Sequence, residues 1–272
     1  MKEHAVVFAA QSLVGVLTDA SIDASLRQPA VVFLNAGVLH RVGPNRVYVR
    51  IARELAARGF TSLRFDRSGI GDSLSRRDGL SLRTAALGDV RDALDFMARE
   101  WGASSFVLVG LCSGADLAFS AALADDRVVG AILLDGLPYQ SARSRLHHLV
   151  ARIMLSAAWR RLFARDGPIW RRLRRAQQPP RAAGAFRPRD VPSRDEAESG
   201  LRELTGRGMR LLLVYTRGRE YSYPRQFEDM FPSVRRECVD IAYLRNADHT
   251  YTLRADQDLL VRTVNTWISR FR

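Results

Sequence analysis

The chain has 272 residues, of which 47% are hydrophobic, and a formal net charge of +13. This length suits one α/β domain with a substantial core. Its two cysteines, Cys112 and Cys238, lie far apart, which argues against a disulfide framework or a zinc site with paired cysteine ligands. No segment approaches the roughly 18 uninterrupted apolar residues of a membrane helix, and residues 1–20 lack the pattern of a signal peptide. We therefore expect a cytoplasmic protein.

Apolar segments alternate with helical patterns along most of the chain. The first two, "AVVFAA" and "VGVLTD", are expected to pair as an antiparallel edge. Further strands are predicted at 30–35, 61–66, 105–110, 128–136, 209–216 and 236–244. Most of these strands are separated by helical patterns, for example at 82–102 and 114–124. This order predicts an eight-stranded, mainly parallel sheet with helices on both faces.

One long segment, residues 137–206, interrupts the alternation of strands and helices. It contains helical pieces followed by a Pro- and Arg-rich stretch, "QQPPRAAGAFRPRDVPSRDE". We interpret it as a helical cap inserted into a core formed by residues 1–136 and 207–272. Such a cap would cover the carboxyl edge of the sheet, where α/β proteins bind ligands. The apolar side chains expected to line an acyl pocket are Leu149, Ile153, Trp159 and Trp170.

The predicted cap is strongly basic. Between Arg143 and Arg181 there are eleven arginines and one acidic residue, Asp166. Such an excess favours an anionic partner, and an acidic acyl carrier protein or CoA would fit. Contact of residues 148–163 with a membrane surface is an alternative, because this segment is amphipathic. The arginine excess of the whole chain is attributed to the base composition of the genome, so no nucleic-acid partner is expected.

A candidate nucleophile follows the strand at 105–110. The sequence Gly110-Leu111-Cys112-Ser113-Gly114 has the form Gly-x-nucleophile-x-Gly between a strand and a helix. Cys112 occupies the central position, whereas a reading centred on Ser113 would place Cys and Asp where the glycines belong. The sequence therefore favours Cys112 as the nucleophile, although a small buried residue at a strand end would fit the same short pattern.

The segments "NAGVLHRVGPNR", "LRFDRSGIGDS", "GLCSGA" and "ADHTY" together resemble the α/β-hydrolase superfamily. They are most similar to bacterial hydrolases associated with exosortase and polysaccharide-export gene clusters. The resemblance covers roughly residues 25–135 and 207–272, and it implies the α/β-hydrolase fold. It does not supply a substrate.

In this fold the catalytic residues follow in the order nucleophile, acid, histidine. His249 lies in the turn "NADHTY" after the last predicted strand. Glu220, in "YTRGREYS", is the favoured acid, and Asp135 at the end of "AILLD" is the alternative. Asp248 is ranked lower because it should point away from the site if its neighbour His249 points inward.

These residues predict covalent acyl transfer. His249 would accept the Cys112 proton, while the N-terminus of the following helix would favour the thiolate. The backbone N–H groups of Ser113 and Val38 are expected to bind the oxyanion. Asp66 is expected to hold neighbouring loops, and His40 either makes a structural hydrogen bond or contacts substrate. No metal or cofactor is expected.

The predicted activity is that of a thioesterase or acyltransferase acting on an ester or thioester. A plain carboxylester or lactone hydrolase is the first alternative. A non-catalytic binding protein that kept the fold is the second.

Overall fold

The computed structural model describes residues 1–10, 12–20, 29–139, 191–216 and 225–271. Within these ranges eight strands form one sheet, in the order β1-β2-β4-β3-β5-β6-β7-β8. The strands are β1 (Glu3–Phe8), β2 (Leu13–Thr18), β3 (Ala30–Leu34), β4 (Ser62–Phe65), β5 (Phe106–Leu111), β6 (Val128–Leu134), β7 (Arg210–Thr216) and β8 (Val239–Leu244).

The sheet is parallel except at one edge. β1 pairs antiparallel with β2, and β2 pairs antiparallel with β4. All later neighbours, from β4 and β3 through to β7 and β8, are parallel. The predicted eight-stranded, mainly parallel sheet is confirmed. Every residue of β3 and β5 is buried, as expected for apolar strands that are covered on both faces.

Helices cover both faces of the sheet. Those of the described ranges are α1 (Val47–Ala56), α2 (Leu82–Trp101), α3 (Ser113–Ala124), α4 (Arg194–Gly206), α5 (Gln226–Met230) and α6 (Arg254–Ile268). Buried side chains of α1 and α6 form one hydrophobic cluster with the sheet, and those of α2, α3 and α4 form the other. None of these helices combines the length and apolar character needed to cross a membrane.

Helix α4 refines the expected domain boundary. It falls inside the segment predicted as a cap, yet it packs against α3 in the main core. Ala197 and Leu201 are fully buried, and a Cβ placed on Gly200 would lie 2.7 Å from the Phe119 ring. Residues 194–206 therefore belong to the helical layer of the core. Residues 140–190 lie outside the described ranges, and with them the predicted pocket residues Leu149, Ile153, Trp159 and Trp170.

Candidate active site

The candidate nucleophile stands on a strained turn between β5 and α3. Cys112 has φ 57° and ψ −123°, a conformation that costs free energy for a residue with a side chain. The two flanking glycines make the turn possible. A Cβ on Gly110 would lie 2.1 Å from the Gly114 carbonyl oxygen, and one on Gly114 would lie 2.6 Å from the Asn35 carbonyl oxygen. Both positions therefore require glycine, as the sequence pattern predicts.

A buried tyrosine supports the turn from below. The Tyr48 hydroxyl donates a hydrogen bond to Leu34 O (3.0 Å) and accepts one from Leu111 N (2.8 Å). Tyr48 thus joins the end of β3 to the residue that precedes Cys112. Burial raises the pKa of this phenol, so it stays neutral and keeps its donor hydrogen. The sequence analysis did not single out Tyr48. Its only signal was a hydroxyl group on a residue of the apolar face of α1.

His249 lies between a carboxylate and the candidate nucleophile. Its Nδ1 is 2.7 Å from Asp135 Oδ2, and the ring also makes a hydrogen bond with the Cys112 side chain. With Nδ1 on the carboxylate, Nε2 is the ring nitrogen left for the thiol. The hydrogen bonds to Asp135 first, and then to Cys112, raise the pKa of His249 to about 10, against an opposing effect of burial. The arrangement therefore favours an imidazolium beside Cys112.

Asp135 is oriented by the end of β7. Its Oδ1 accepts a hydrogen bond from Thr216 N (2.8 Å), and its Oδ2 accepts one from Thr216 Oγ1 (2.6 Å). Asp135 itself has φ 48°, a conformation in which Asp and Asn are better tolerated than most residues. The carboxylate on His249 is thus the position that the sequence ranked second. The favoured position, Glu220, lies outside the described residues.

The loop that carries His249 is built by its neighbours. Asp248 accepts hydrogen bonds from Thr252 N (2.7 Å) and Thr250 Oγ1 (2.8 Å), and those from Thr252 are the first cause of its lowered pKa. The Gln257 amide nitrogen of α6 donates to Tyr251 O (2.9 Å). Asp248 is therefore committed to shaping the turn, in agreement with its low rank as a catalytic acid.

The loop after β3 contributes the second side of the expected oxyanion hole. Gly37 N donates a hydrogen bond to Ser113 Oγ (2.9 Å), which ties this loop to the first residue of α3. Val38 is 86% exposed, and within the described part of the chain its N–H has no hydrogen-bond acceptor. Ser113 N is also free of an intrahelical acceptor, because it belongs to the first turn of α3.

Arg67 holds the same loop from the other side. Its Nη2 donates to the Gly37 carbonyl oxygen (3.2 Å). Its Nε is buried without a hydrogen-bond partner, and desolvation lowers the pKa of the guanidinium. Among the described residues no carboxylate lies within ion-pair distance of Arg67. Among the described residues this cation hydrogen-bonds to the loop backbone, and the Asp89 carboxylate acts on it only through its charge.

Asp66 holds the loops around the site together, as the sequence predicts. It is fully buried, and its Oδ1 accepts hydrogen bonds from Arg41 N (2.6 Å) and Asn35 Nδ2 (3.1 Å). His40, Asp66 and Asp72 bring potential metal-ligand atoms within 4.8 Å of one another. The guanidinium of Arg41 hydrogen-bonds to all three, however, so this cluster already holds a cation from the chain itself. His40 thus has structural partners here.

Together these groups supply the components of nucleophilic acyl chemistry. A thiol lies at a helix N-terminus, a histidine bonds to it, and a carboxylate orients the histidine. Nearby are two backbone N–H groups, of Ser113 and Val38, that have no acceptor among the described residues. The strand order explains why they meet, since β5, β6, β7 and β8 are successive parallel neighbours whose carboxyl ends share one edge, and His249 follows β8. Cys112 N also donates to Leu134 O (2.9 Å), which places the turn directly beside Asp135.

Comparison with known families agrees with this geometry. A family model described as serine aminopeptidase, S33 (Hydrolase_4), matches residues 29–180, which is more than half of the chain. The chain belongs to this family. It is therefore an α/β hydrolase, and an enzyme of this class, although the central elbow position carries Cys112 where the family description names serine. No curated protein matches the sequence of this α/β hydrolase.

Solved structures resemble this α/β hydrolase in fold. Mouse alpha/beta hydrolase domain-containing protein 10 is 16% identical, with all of both chains covered and a TM-score of 0.55. An α/β serine hydrolase homologue from Coxiella burnetii is 14% identical, with 97% of each chain covered and a TM-score of 0.56. Est1E from Butyrivibrio proteoclasticus, solved with ferulic acid, is 15% identical, with 95% of this chain and 94% of that chain covered and a TM-score of 0.60. At these identities the likeness concerns the fold alone.

Proposed function

We propose that this α/β hydrolase transfers acyl groups through a thioester on Cys112, with His249 as general base and acid and Asp135 as the orienting carboxylate. The observation that carries the proposal is the hydrogen-bonded series Cys112–His249–Asp135 on a nucleophile elbow. Asp135 takes the role first assigned to Glu220, because it is the carboxylate in contact with Nδ1 of His249.

The reaction proceeds in two steps. In the first, the proton of the Cys112 thiol passes to His249 and the thiolate Sγ attacks the acyl carbon. The carbonyl π electrons move to oxygen, and the N–H groups of Ser113 and Val38 bind the resulting oxyanion. The oxyanion then re-forms the carbonyl as the bond to the alkoxide or thiolate leaving group breaks, and His249 protonates that group. In the second step water or another acceptor gives its proton to His249 and attacks the thioester, which releases Cys112 as a thiolate.

A cysteine nucleophile favours thioester substrates. Exchange of an acyl group between two thiols is close to thermoneutral, so an acyl-CoA or a carrier-bound acyl group can load Cys112 without a large loss of free energy. The resulting enzyme thioester reacts readily with amines as well as with water. The proposed activity is therefore that of a thioesterase or acyltransferase. Simple ester or lactone hydrolysis would use the same acyl-enzyme, with water as its only acceptor.

The arginine-rich segment supports an anionic donor. Eleven arginines and one acid between positions 143 and 181 create a local positive field, which would attract an acidic carrier protein or CoA. Replacing Arg171, Arg172, Arg174 and Arg175 with glutamine should weaken use of such a donor and reduce its salt dependence. Hydrolysis of a small uncharged ester should stay unchanged. An equal loss with both substrates would instead assign these arginines to holding the segment together.

The nucleophile is tested by intact-protein mass spectrometry. One sample is incubated with a panel of acyl-CoA thioesters and activated esters, and a separate sample without substrate is treated with iodoacetamide. We expect an acyl adduct on Cys112 and alkylation of Cys112 ahead of Cys238. Cys238→Ser is the matched control and should still be acylated and alkylated at Cys112. Cys112→Ala should lose both reactions. Turnover that survives in Cys112→Ala, or equal alkylation of the two cysteines, would overturn the assignment of Cys112 as the nucleophile. A parent protein that shows neither an acyl adduct nor turnover would favour the binding-protein alternative.

A further inference from the structure

The Ser113 side chain hydrogen-bonds through its oxygen to the loop after β3. Its Oγ accepts the hydrogen bond from Gly37 N at 2.9 Å. Because the oxygen is the acceptor in this bond, the hydroxyl hydrogen must point in another direction. Within the described ranges no acceptor is placed to receive it. The side chain is half-buried, so it is partly accessible from outside the fold.

This hydroxyl belongs to the residue whose backbone N–H is expected to bind the oxyanion, and it contacts the loop that carries Val38. Ser113 is the first residue of α3 and directly follows Cys112, so its backbone N–H faces the carbonyl oxygen of an acyl group bound to Cys112. The hydroxyl belongs to the same residue and is anchored to the opposite loop through Gly37. The oxyanion hole is thus bordered by a side-chain donor in addition to backbone donors.

We propose that the Ser113 hydroxyl is a third oxyanion donor, positioned by Gly37 N–H, in the acyl-transfer reaction of Cys112. This proposal rests on the proposed function. The hydrogen bond received from Gly37 polarises the hydroxyl and makes its hydrogen a better donor. When Cys112 Sγ bonds to the acyl carbon, negative charge develops on the carbonyl oxygen and the hydroxyl bond to it strengthens. The proton stays on Ser113, and the bond weakens again when the carbonyl re-forms.

Such a donor acts more on the transition state than on the ground state, so its removal lowers the rate of acylation. Loss of one oxyanion-hole donor costs roughly 10²- to 10³-fold in kcat in a serine hydrolase. An aldehyde inhibitor forms a hemithioacetal whose oxygen occupies the same hole, so its affinity reports the donors directly. Alkylation by iodoacetamide forms no oxyanion, and it therefore reports only the reactivity of Cys112.

The test compares Ser113→Ala with the isosteric pair Ser113→Thr and Ser113→Val. The measurements are kcat/KM for an activated thioester, the inhibition constant of a straight-chain aldehyde and the rate of alkylation by iodoacetamide. We expect Ser113→Ala and Ser113→Val to lose about 10²-fold in kcat/KM and a similar factor in aldehyde affinity, with little change in alkylation. Ser113→Thr should retain most of the kcat/KM and most of the aldehyde affinity of the parent protein. Ser68→Ala is the control, since it removes a hydroxyl of a neighbouring loop that binds Asp89 of helix α2.

Three results would overturn the proposal. The first is equal activity of the Thr and Val variants, which stays informative even if the Ala variant does not fold. The second is faster turnover in Ser113→Ala, which would mean that the hydroxyl blocks Gly37 N–H. The third is a loss of alkylation equal to the loss of acylation, which would assign Ser113 to holding the loop. If the unmodified protein is not alkylated at Cys112, the proposed nucleophile itself fails.

Discussion

Thr216 donates a hydrogen bond to each carboxylate oxygen of Asp135, at 2.8 Å to Oδ1 and 2.6 Å to Oδ2. One of those oxygens, Oδ2, also receives the Nδ1–H of His249. The end of β7 therefore fixes the carboxylate that orients the histidine, although the carboxylate itself comes from the end of β6.

This relationship makes Asp135→Asn a sharp test of the catalytic acid. The asparagine oxygen can still accept the bond from Thr216 N, and asparagine tolerates the positive φ of 48°. Its amide nitrogen cannot accept the hydrogen of His249. We expect turnover to fall by roughly 10²- to 10⁴-fold. Because Asp135 is the first cause of the raised pKa of His249, the alkaline limb of the remaining activity should move to lower pH.

Glu220→Gln is the matched comparison, since it removes the carboxylate that the sequence favoured. We expect this variant to keep turnover within a few-fold of the parent protein. A large loss in Glu220→Gln with a harmless Asp135→Asn would restore the original assignment.

The raised pKa of His249 predicts a specific dependence of stability on pH. The pKa is about 10 in the folded protein and about 6.5 in the unfolded chain, so the folded state holds the proton more tightly. This contribution to the free energy of unfolding is complete below about pH 6.5 and is lost as the pH rises towards 10. Urea unfolding of the parent protein and of His249→Gln should therefore differ most near pH 6. A difference that does not change between about pH 6 and pH 10 would contradict the prediction.

Replacement of a glycine beside Cys112 by alanine should strongly reduce the free energy of unfolding, because the added methyl group meets the backbone. A Cβ on Gly110 would lie 2.1 Å from the carbonyl oxygen of Gly114, which is backbone and cannot rotate away. We expect Gly110→Ala to reduce the free energy of unfolding by about 2–3 kcal/mol or more, and to abolish acylation of Cys112. Gly206→Ala is the control, because a Cβ there meets nothing within 4 Å and φ is not positive. That variant should be neutral or slightly stabilising in chemical denaturation.

Removal of the Tyr48 hydroxyl should affect stability and activity together. In Tyr48→Phe the buried Leu111 N–H and Leu34 C=O each lose a partner, since the ring remains but the oxygen is absent. The expected loss in free energy of unfolding is about 1–3 kcal/mol. The residue before Cys112 also loses its anchor, so the alkylation rate of Cys112 should fall. Tyr243→Phe, on the half-buried strand β8, should leave the alkylation rate unchanged.

The sequence predicted the sheet because its signals are local. The apolar strands β3 and β5, the glycines around Cys112 and the turn that holds His249 each depend on a short run of residues. The roles of Asp135 and Glu220 could not be separated in this way, since both follow strands that end at the same edge. The hydrogen bonds from Thr216 hold the Asp135 carboxylate beside the histidine, and they depend on tertiary structure.

Two other features could not be predicted from the sequence, because they also depend on tertiary structure. Tyr48 looks like one more buried aromatic residue until α1 is packed beneath the ends of β3 and β5. Helix α4 follows a Pro- and Arg-rich stretch, so composition placed it in the cap. Its close approach to Phe119 through Gly200 shows that it belongs to the core.

The hydrogen bond from Arg67 to the Gly37 carbonyl oxygen has an electronic consequence for the neighbouring residue. The C=O of Gly37 and the N–H of Val38 belong to one conjugated peptide group. A guanidinium that draws electron density towards the oxygen therefore leaves more positive charge on the Val38 hydrogen. The amide resonance thus carries the influence of a half-buried cation across the loop, through a peptide plane, to the N–H group that is proposed to bind the oxyanion.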